Sequence, residues 1–264
     1  WLDPPMSPLQ CAAREGHVGC ISALLKCSTV DVNFAQPPGV TALMHASNSG
    51  HAAAVEALLK VEGIDLNWAN PNAGGNALMY ASNNGHVAAV TALLTACNRG
   101  LDVNARSSGG NTALMFACME RWTQVVSALL SAGEALDVNA VNDAGETALR
   151  IAQEHGDAAL VGLLLDVKGI DRSAGTSKAV RECAASGVAA VVAQASRATA
   201  SFTTDWSARQ MEAGAGRRPT APCKVSAEAA SRLLRAAASN DVDTVRLVLK
   251  DGSLDVTATD SDGR

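Results

Sequence analysis

The chain carries five histidines, seven cysteines and 26 acidic residues among its 264 positions, and these are the groups that could bind a metal, attack a substrate or move a proton. A zinc site needs Cys or His ligands at short fixed spacings. The cysteines contain no CxxC pair, and His17, His45, His51, His86 and His155 have no second His, Cys or carboxylate at ligand spacing. His17, His51 and His86 each follow a glycine, which reads as a turn residue bonding nearby backbone. A nucleophilic cysteine needs a base beside it in space, and nothing in the sequence brings a Cys and a His together. Cys11, Cys118 and Cys183 fit small buried hydrophobes instead. Glu56, Glu62 and Asp65 recur by position, as helix-face or turn residues do, so no carboxylate pair for acid–base work stands out. Gly214 and Gly216 lie in AGAGRR, far from any predicted strand, and GxxxxGK[ST] is absent. The expectation is a chain with no catalytic, cofactor or metal site.

Composition narrows the class. Hydrophobic residues are 48% and charged residues 18%, enough apolar material for a core, while aromatics are only 3%. The interior must therefore be built from Ala, Leu, Val and Met. A formal charge of -5 lacks the basic excess expected of a nucleic-acid or anionic-membrane binder. No apolar run approaches a membrane span; Gly187 to Ala195 is the longest candidate and is Ala-rich. An odd cysteine count without an N-x-[ST] sequon suits reduced thiols in an intracellular compartment, the cytoplasm first. The chain opens at Trp1 rather than Met, as a fragment or a processed chain would.

Self-similarity organises the rest. Leu9, Leu43, Leu78, Leu114 and Leu149 recur every 34 to 36 residues, each opening a similar stretch. Two positions earlier stand Ser7, Thr41, Asn76, Thr112 and Thr147, residues whose side-chain oxygen can cap a helix N-terminus. Three positions after each Leu comes Ala12, Ala46, Ala81, Ala117 or Ala152, small enough for close helix approach. Gly16, Gly50, Gly85, Arg121 and Gly156 then mark a turn. Ile21, Val55, Val90, Val126 or Val161 and a Leu-Leu pair (Leu24-Leu25 to Leu164-Leu165) give a second amphipathic helix. Asp-x-Asn closes four units, at Asp31 and Asn33, Asp65 and Asn67, Asp102 and Asn104, and Asp137 and Asn139.

Thr41-Ala-Leu-Met-His-Ala46, Asn48-Ser-Gly-His51, Val55-Glu-Ala-Leu-Leu59 and Gly63-Ile-Asp-Leu-Asn67 carry a clear resemblance to the ankyrin repeat family. The resemblance implies an all-α solenoid of stacked helix-turn-helix repeats, with short helices lining a concave face and hairpin turns projecting beyond it. Residues 1–173 read as five repeats. Val180, Cys183, Gly187 and Val192 suggest a degenerate sixth at 174–196, weakened by Lys178 at the cap and Ala195-Ser196 at the leucine pair. Residues 197–225 read as a flexible linker or insertion. The pattern resumes over 226–264 as a further repeat, either a cap on the stack or a truncated unit, with Asn240 at the turn position. In chain order these seven units would make a rod roughly 60–70 Å long.

Departures from the repeat are either local variation, with Trp122 lying over the helix pair, or the places where a partner would bind. Unit four has Arg121-Trp122 where others have Gly-His, preceded by Met119 and Glu120 at variable concave positions. Trp and Arg are enriched among interface hot spots. Phe34 and Trp68 follow the Asn of Asp-x-Asn, where Ala105 and Ala140 stand in other units, and either pack on a neighbouring hairpin or form an exposed stripe. His155 occupies a variable position facing the same side. Phe202 and Trp206, four apart with Met211 beyond, could dock on the stack or bind a partner. The function this implies is a non-catalytic protein–protein interaction module: an adaptor, scaffold or subunit of a larger assembly. It would use protein partners, without nucleic acid or direct membrane insertion. The alternative is the regulatory ankyrin region of a larger enzyme whose catalytic domain lies outside the chain.

Overall fold

The computed structural model describes residues 6–27, 29–35, 39–171 and 227–250, which form twelve α-helices. Unit one is α1 (Pro8–Arg14) and α2 (Val18–Leu24); unit two is α3 (Ala42–Asn48) and α4 (Ala52–Leu59). Unit three is α5 (Ala77–Asn83) and α6 (Val87–Leu94), unit four α7 (Ala113–Met119) and α8 (Thr123–Leu130). Unit five is α9 (Ala148–Glu154) and α10 (Ala158–Leu165), and the terminal unit is α11 (Ala227–Ala238) and α12 (Val242–Lys250). The degenerate sixth unit, the linker, Phe202 and Trp206 lie outside the described residues.

Each first helix starts where its cap residue dictates. Ser7, Thr41, Asn76, Thr112 and Thr147 are extended, and their side-chain oxygens accept from the backbone N–H three residues on. Ser7 and Gln10 form a reciprocal capping box, and Gln10 Nε2 also donates to Val40 O at 2.7 Å in the next hairpin. Each helix stops at a left-handed residue: φ is +74° at Gly16, +76° at Gly50 and Gly85, and +64° at Gly156. The following N–H then reaches back to the alanine carbonyl, as in His51 N to Ala46 O at 3.0 Å and Trp122 N to Ala117 O at 2.9 Å. This is the backbone closure that left-handed C-terminal residues permit.

Alanines 12, 46, 81, 117 and 152 are fully buried, as are leucines 24, 58, 93, 129 and 164. The second leucine of each pair is less enclosed: Leu25, Leu94, Leu130 and Leu165 are half-buried, and so is Val161, whose place in the core of unit five is taken by Leu160. Hairpins are joined by an amide ladder. Asn33 Nδ2 donates to Gly63 O at 2.8 Å while its Oδ1 accepts from Asp65 N at 2.7 Å. Asn67, Asn104 and Asn139 repeat both bonds onto the next unit. Asp31, Asp65, Asp102 and Asp137 each accept from the N–H of their own asparagine and so hold it in position.

The order of stacking differs from chain order. First helices pack as α11, α1, α3, α5, α7, α9 in one layer, and second helices as α12, α2, α4, α6, α8, α10 in the other. The terminal unit therefore precedes unit one instead of extending the far end, and the rod expected in chain order is not what the described residues build. The joint has the register of an internal one. His17 Nε2 lies 2.9 Å from Ala238 O, two residues before the left-handed Asn240 (φ +61°), just as His86 Nε2 lies 3.0 Å from Asn48 O, two before Gly50. The shared columns let the terminal unit take the place of a preceding repeat.

Candidate protein-binding surface

The turn column explains the glycine-histidine pairs. Each ring lies flat over the turn of the preceding unit: a Cβ added at Gly16 would stand 2.7 Å from His51 Cγ, and one at Gly50 would stand 2.5 Å from His86 Nδ1. Glycine is thus needed twice over, for the positive φ and for the ring above it. His17, His51 and His86 are structural plates, in line with their reading as turn residues.

Trp122 occupies the same column. A Cβ at Gly85 would meet its Cδ2 at 2.6 Å, and its indole Nε1 donates to Asn83 O at 2.9 Å, the bond His86 makes one unit earlier. The difference is size. The histidine plates are half-buried, whereas Trp122 remains 43% exposed, one of three large hydrophobics so exposed among the described residues. Its ring is fixed on one side and open on the other.

Arg121 keeps the left-handed turn, φ +61°, at a cost of about 1 kcal/mol for a residue with a Cβ. Its guanidinium Nε meets Asp157 Oδ2 at 3.1 Å. Asp157 stands in the histidine column of unit five and also caps α10, accepting from Ala159 N and Leu160 N. The backbone bond from Leu160, with the Arg121 hydrogen bond and charge, holds its carboxyl below the usual range. So the glycine-under-ring contact has been replaced at this joint by an ion pair, with both members changed together. Sequence reading noticed Arg121 and missed Asp157. The signal was present as two departures in partnered columns, one unit apart.

Around this joint, Glu120 is half-buried at the end of α7, where burial pushes its carboxyl up and nearby His155 pulls it down. His155 is exposed at the end of α9, and Met119 packs partly against the core. Met119, Glu120, Arg121, Trp122 and His155 are therefore brought together at the turns of units four and five. The hairpin aromatics sit elsewhere. Trp68 is half-buried against the core, and its Nε1 donates to Gly39 O at 3.0 Å on the preceding hairpin. Phe34 is half-buried, and its carbonyl accepts from Gln10 Nε2 at 3.1 Å. Trp68 thus braces two hairpins, although it still leaves part of its ring outward.

Cys118 is enclosed, and burial, with a smaller effect from Asp157, pushes its thiol up to about 12; such a group is protonated at neutral pH. Cys20 and Cys97 are raised too, chiefly by burial. His45, in the same column as the buried Tyr80 and Phe116, is half-buried. Among the described residues, no group of three or more His, Cys, Asp or Glu is placed to hold a metal, and no helix is long and apolar enough to cross a membrane.

A stack of capped helix pairs, closed by glycine turns and joined by an asparagine ladder, defines a class of repeat protein. The family model for ankyrin repeats (3 copies) matches residues 9–107 and 78–174. The chain belongs to the ankyrin repeat family. Ankyrin repeats are generally protein–protein interaction modules and typically non-catalytic. No curated protein matches the chain.

Proposed function

We propose that this stack is a protein-binding adaptor, scaffold or subunit of a larger assembly, with its binding centre at the turns of units four and five. The observation that supports this reading is Trp122. Its indole is held by Gly85 and by Asn83 O without any partner present, and it still presents 43% of its surface outward. A fixed aromatic loses little freedom on binding, which is what makes such residues effective anchors. Arg121, tied to Asp157 yet 57% exposed along its side chain, offers a planar cation beside it. Glu120, His155 and Met119 add polar and adaptable contacts at the rim. Phe34 and Trp68 on the hairpins form a secondary contact line. The net charge of -5 disfavours nucleic acid, and the odd cysteine count suits a reducing compartment such as the cytoplasm.

Trp122→His separates binding from packing. The histidine restores the plate and the bond to Asn83 O that His86 exemplifies, so stability should hold while the outward indole face is lost. Affinity capture from the native source with wild-type and Trp122→His baits should show partners retained by the first and lost from the second, with affinity lower by about 2 kcal/mol or more. Equal retention by both baits would move the centre to Phe34 and Trp68.

A further inference from the structure

We propose that the joint between the terminal unit and unit one is exchangeable, so that α11–α12 of one copy can seat on α1–α2 of a second copy of this chain. The α1–α2 face is built to accept a preceding helix pair. His17 reaches the carbonyl of Ala238, Cys20 points its thiol at Ala236 O and Asn240 Oδ1 (3.9 and 3.7 Å), and Cys20 itself is fully buried there. Gly19 stands where the other units carry Ala53, Ala88, Gln124 and Ala159, and a Cβ on it would lie 2.8 Å from Val242 Cγ2. Glycine is a poor helix residue, and here it leaves the room that Val242 takes.

The pair that fills this face is joined to unit five by the 55 residues 172–226. Fully extended, 55 residues reach about 180 Å, whereas five unit steps at 8–10 Å span only about 40–50 Å. The connection is thus long enough to bring the pair to its own unit one or to a neighbour's. Unlike the joints between units one and five, this one has no asparagine in the ladder column of its leading unit. Thr257 stands at that column in the sequence. Exchange of an identical element between protomers is a low-cost route to a dimer, and a connection of this length lets the same pair reach either acceptor. At low concentration the tether favours closure within one chain, because it holds the pair at an effective concentration on the order of millimolar.

Two full-length variants test this by complementation. Gly19→Leu puts a side chain into the Val242 site and blocks the acceptor face, leaving α11–α12 intact. Val245→Asp, at a fully buried position of α12, removes the donor whether the pair undocks or unfolds. In each variant alone, alkylation of Cys20, mapped by peptide mass spectrometry, should speed up by about tenfold or more relative to wild type. Mixed at about 100 µM each, a concentration below that of the tethered pair, they should give a 1:1 heterodimer by light scattering, with Cys20 of the Val245→Asp chain protected again. Unchanged Cys20 reactivity in both single variants would overturn the joint itself. Exposed Cys20 with no heterodimer in the mixture would overturn exchange with a second copy. Neither outcome depends on Trp122 or on what binds there.

Discussion

Asn67 is the clearest test of how the hairpins are held together. Its Nδ2 donates to Gly100 O at 2.8 Å, and its Oδ1 accepts from Asp102 N at 2.8 Å, both in unit three. Asn67→Ala deletes the two bonds. Each is worth about 0.5–1.5 kcal/mol net, and the groups left behind are exposed enough for water to reach them, so the low half of that range applies. The expected loss is about 1–2 kcal/mol. With a urea slope of ~2–3 kcal/mol per molar, the unfolding midpoint should fall by about 0.3–1 M, followed by circular dichroism at 222 nm. Asn67→Asp is the sharper variant, since it keeps the acceptor and turns the donor into an oxygen facing Gly100 O, with Asp65 and Asp102 close by. It should be at least as damaging as Asn67→Ala at neutral pH. Glu62→Ala, exposed on the same hairpin, is the control and should stay within about 0.5 kcal/mol of wild type. Amide exchange gives an independent reading, because Asp102 N–H should lose protection in Asn67→Ala. An Asn67→Ala midpoint matching that of Glu62→Ala, or an Asn67→Asp protein as stable as wild type, would refute the ladder as a source of stability.

Other expectations follow from buried groups. Leu93→Ala, at a fully buried site on α6, should cost about 2–5 kcal/mol in chemical denaturation, because stacked helices cannot collapse into the cavity. The Ser47 and Ser82 hydroxyls are buried without a hydrogen-bond partner, so Ser47→Ala and Ser82→Ala should be neutral or stabilising by up to about 1 kcal/mol. A destabilised alanine variant would show that the hydroxyl is used. Burial raises Glu120, and a raised carboxyl contributes stability below the unfolded value that is lost as pH rises through the folded value. Glu120→Gln should therefore melt higher than wild type at pH 7, and the advantage should shrink as pH falls through the raised folded value and vanish below the unfolded value of about 4.3. Cys118, pushed up to about 12, should resist iodoacetamide in the native protein at pH 8 and react once urea exposes it.

What was legible in the sequence was whatever depends on residues within one helical turn. Thr41 caps α3 because its oxygen meets Met44 N three residues away, and Asn240 fits a left-handed turn by its own conformational preference. The ankyrin columns followed from such local rules repeated five times. Features whose two halves lie a unit apart were harder to see. Asp157 gains its meaning only from Arg121 against it, and Trp122 reads as an anomaly until Gly85 lies beneath it. Asn33 carried no sign that its amide serves Gly63 and Asp65. The position of the terminal unit was out of reach for a different reason. Repeat faces share most of their columns, so the columns that identify a unit do not say which neighbour it will choose.

That choice sets a timetable for synthesis. The bond from His86 to Asn48 spans 38 residues, whereas the bond from His17 to Ala238 spans 221. Closing the longer loop costs about 1.6 kcal/mol more in chain entropy than closing the shorter one. A ribosome adding 5–20 residues per second needs on the order of 10–40 s to pass from the first partner to the second. Through that interval units one to five can form by near-neighbour contacts alone, while the Cys20 side of α2 stays uncovered. Units one to five are thus stacked before the terminal pair can seat on α1 and α2.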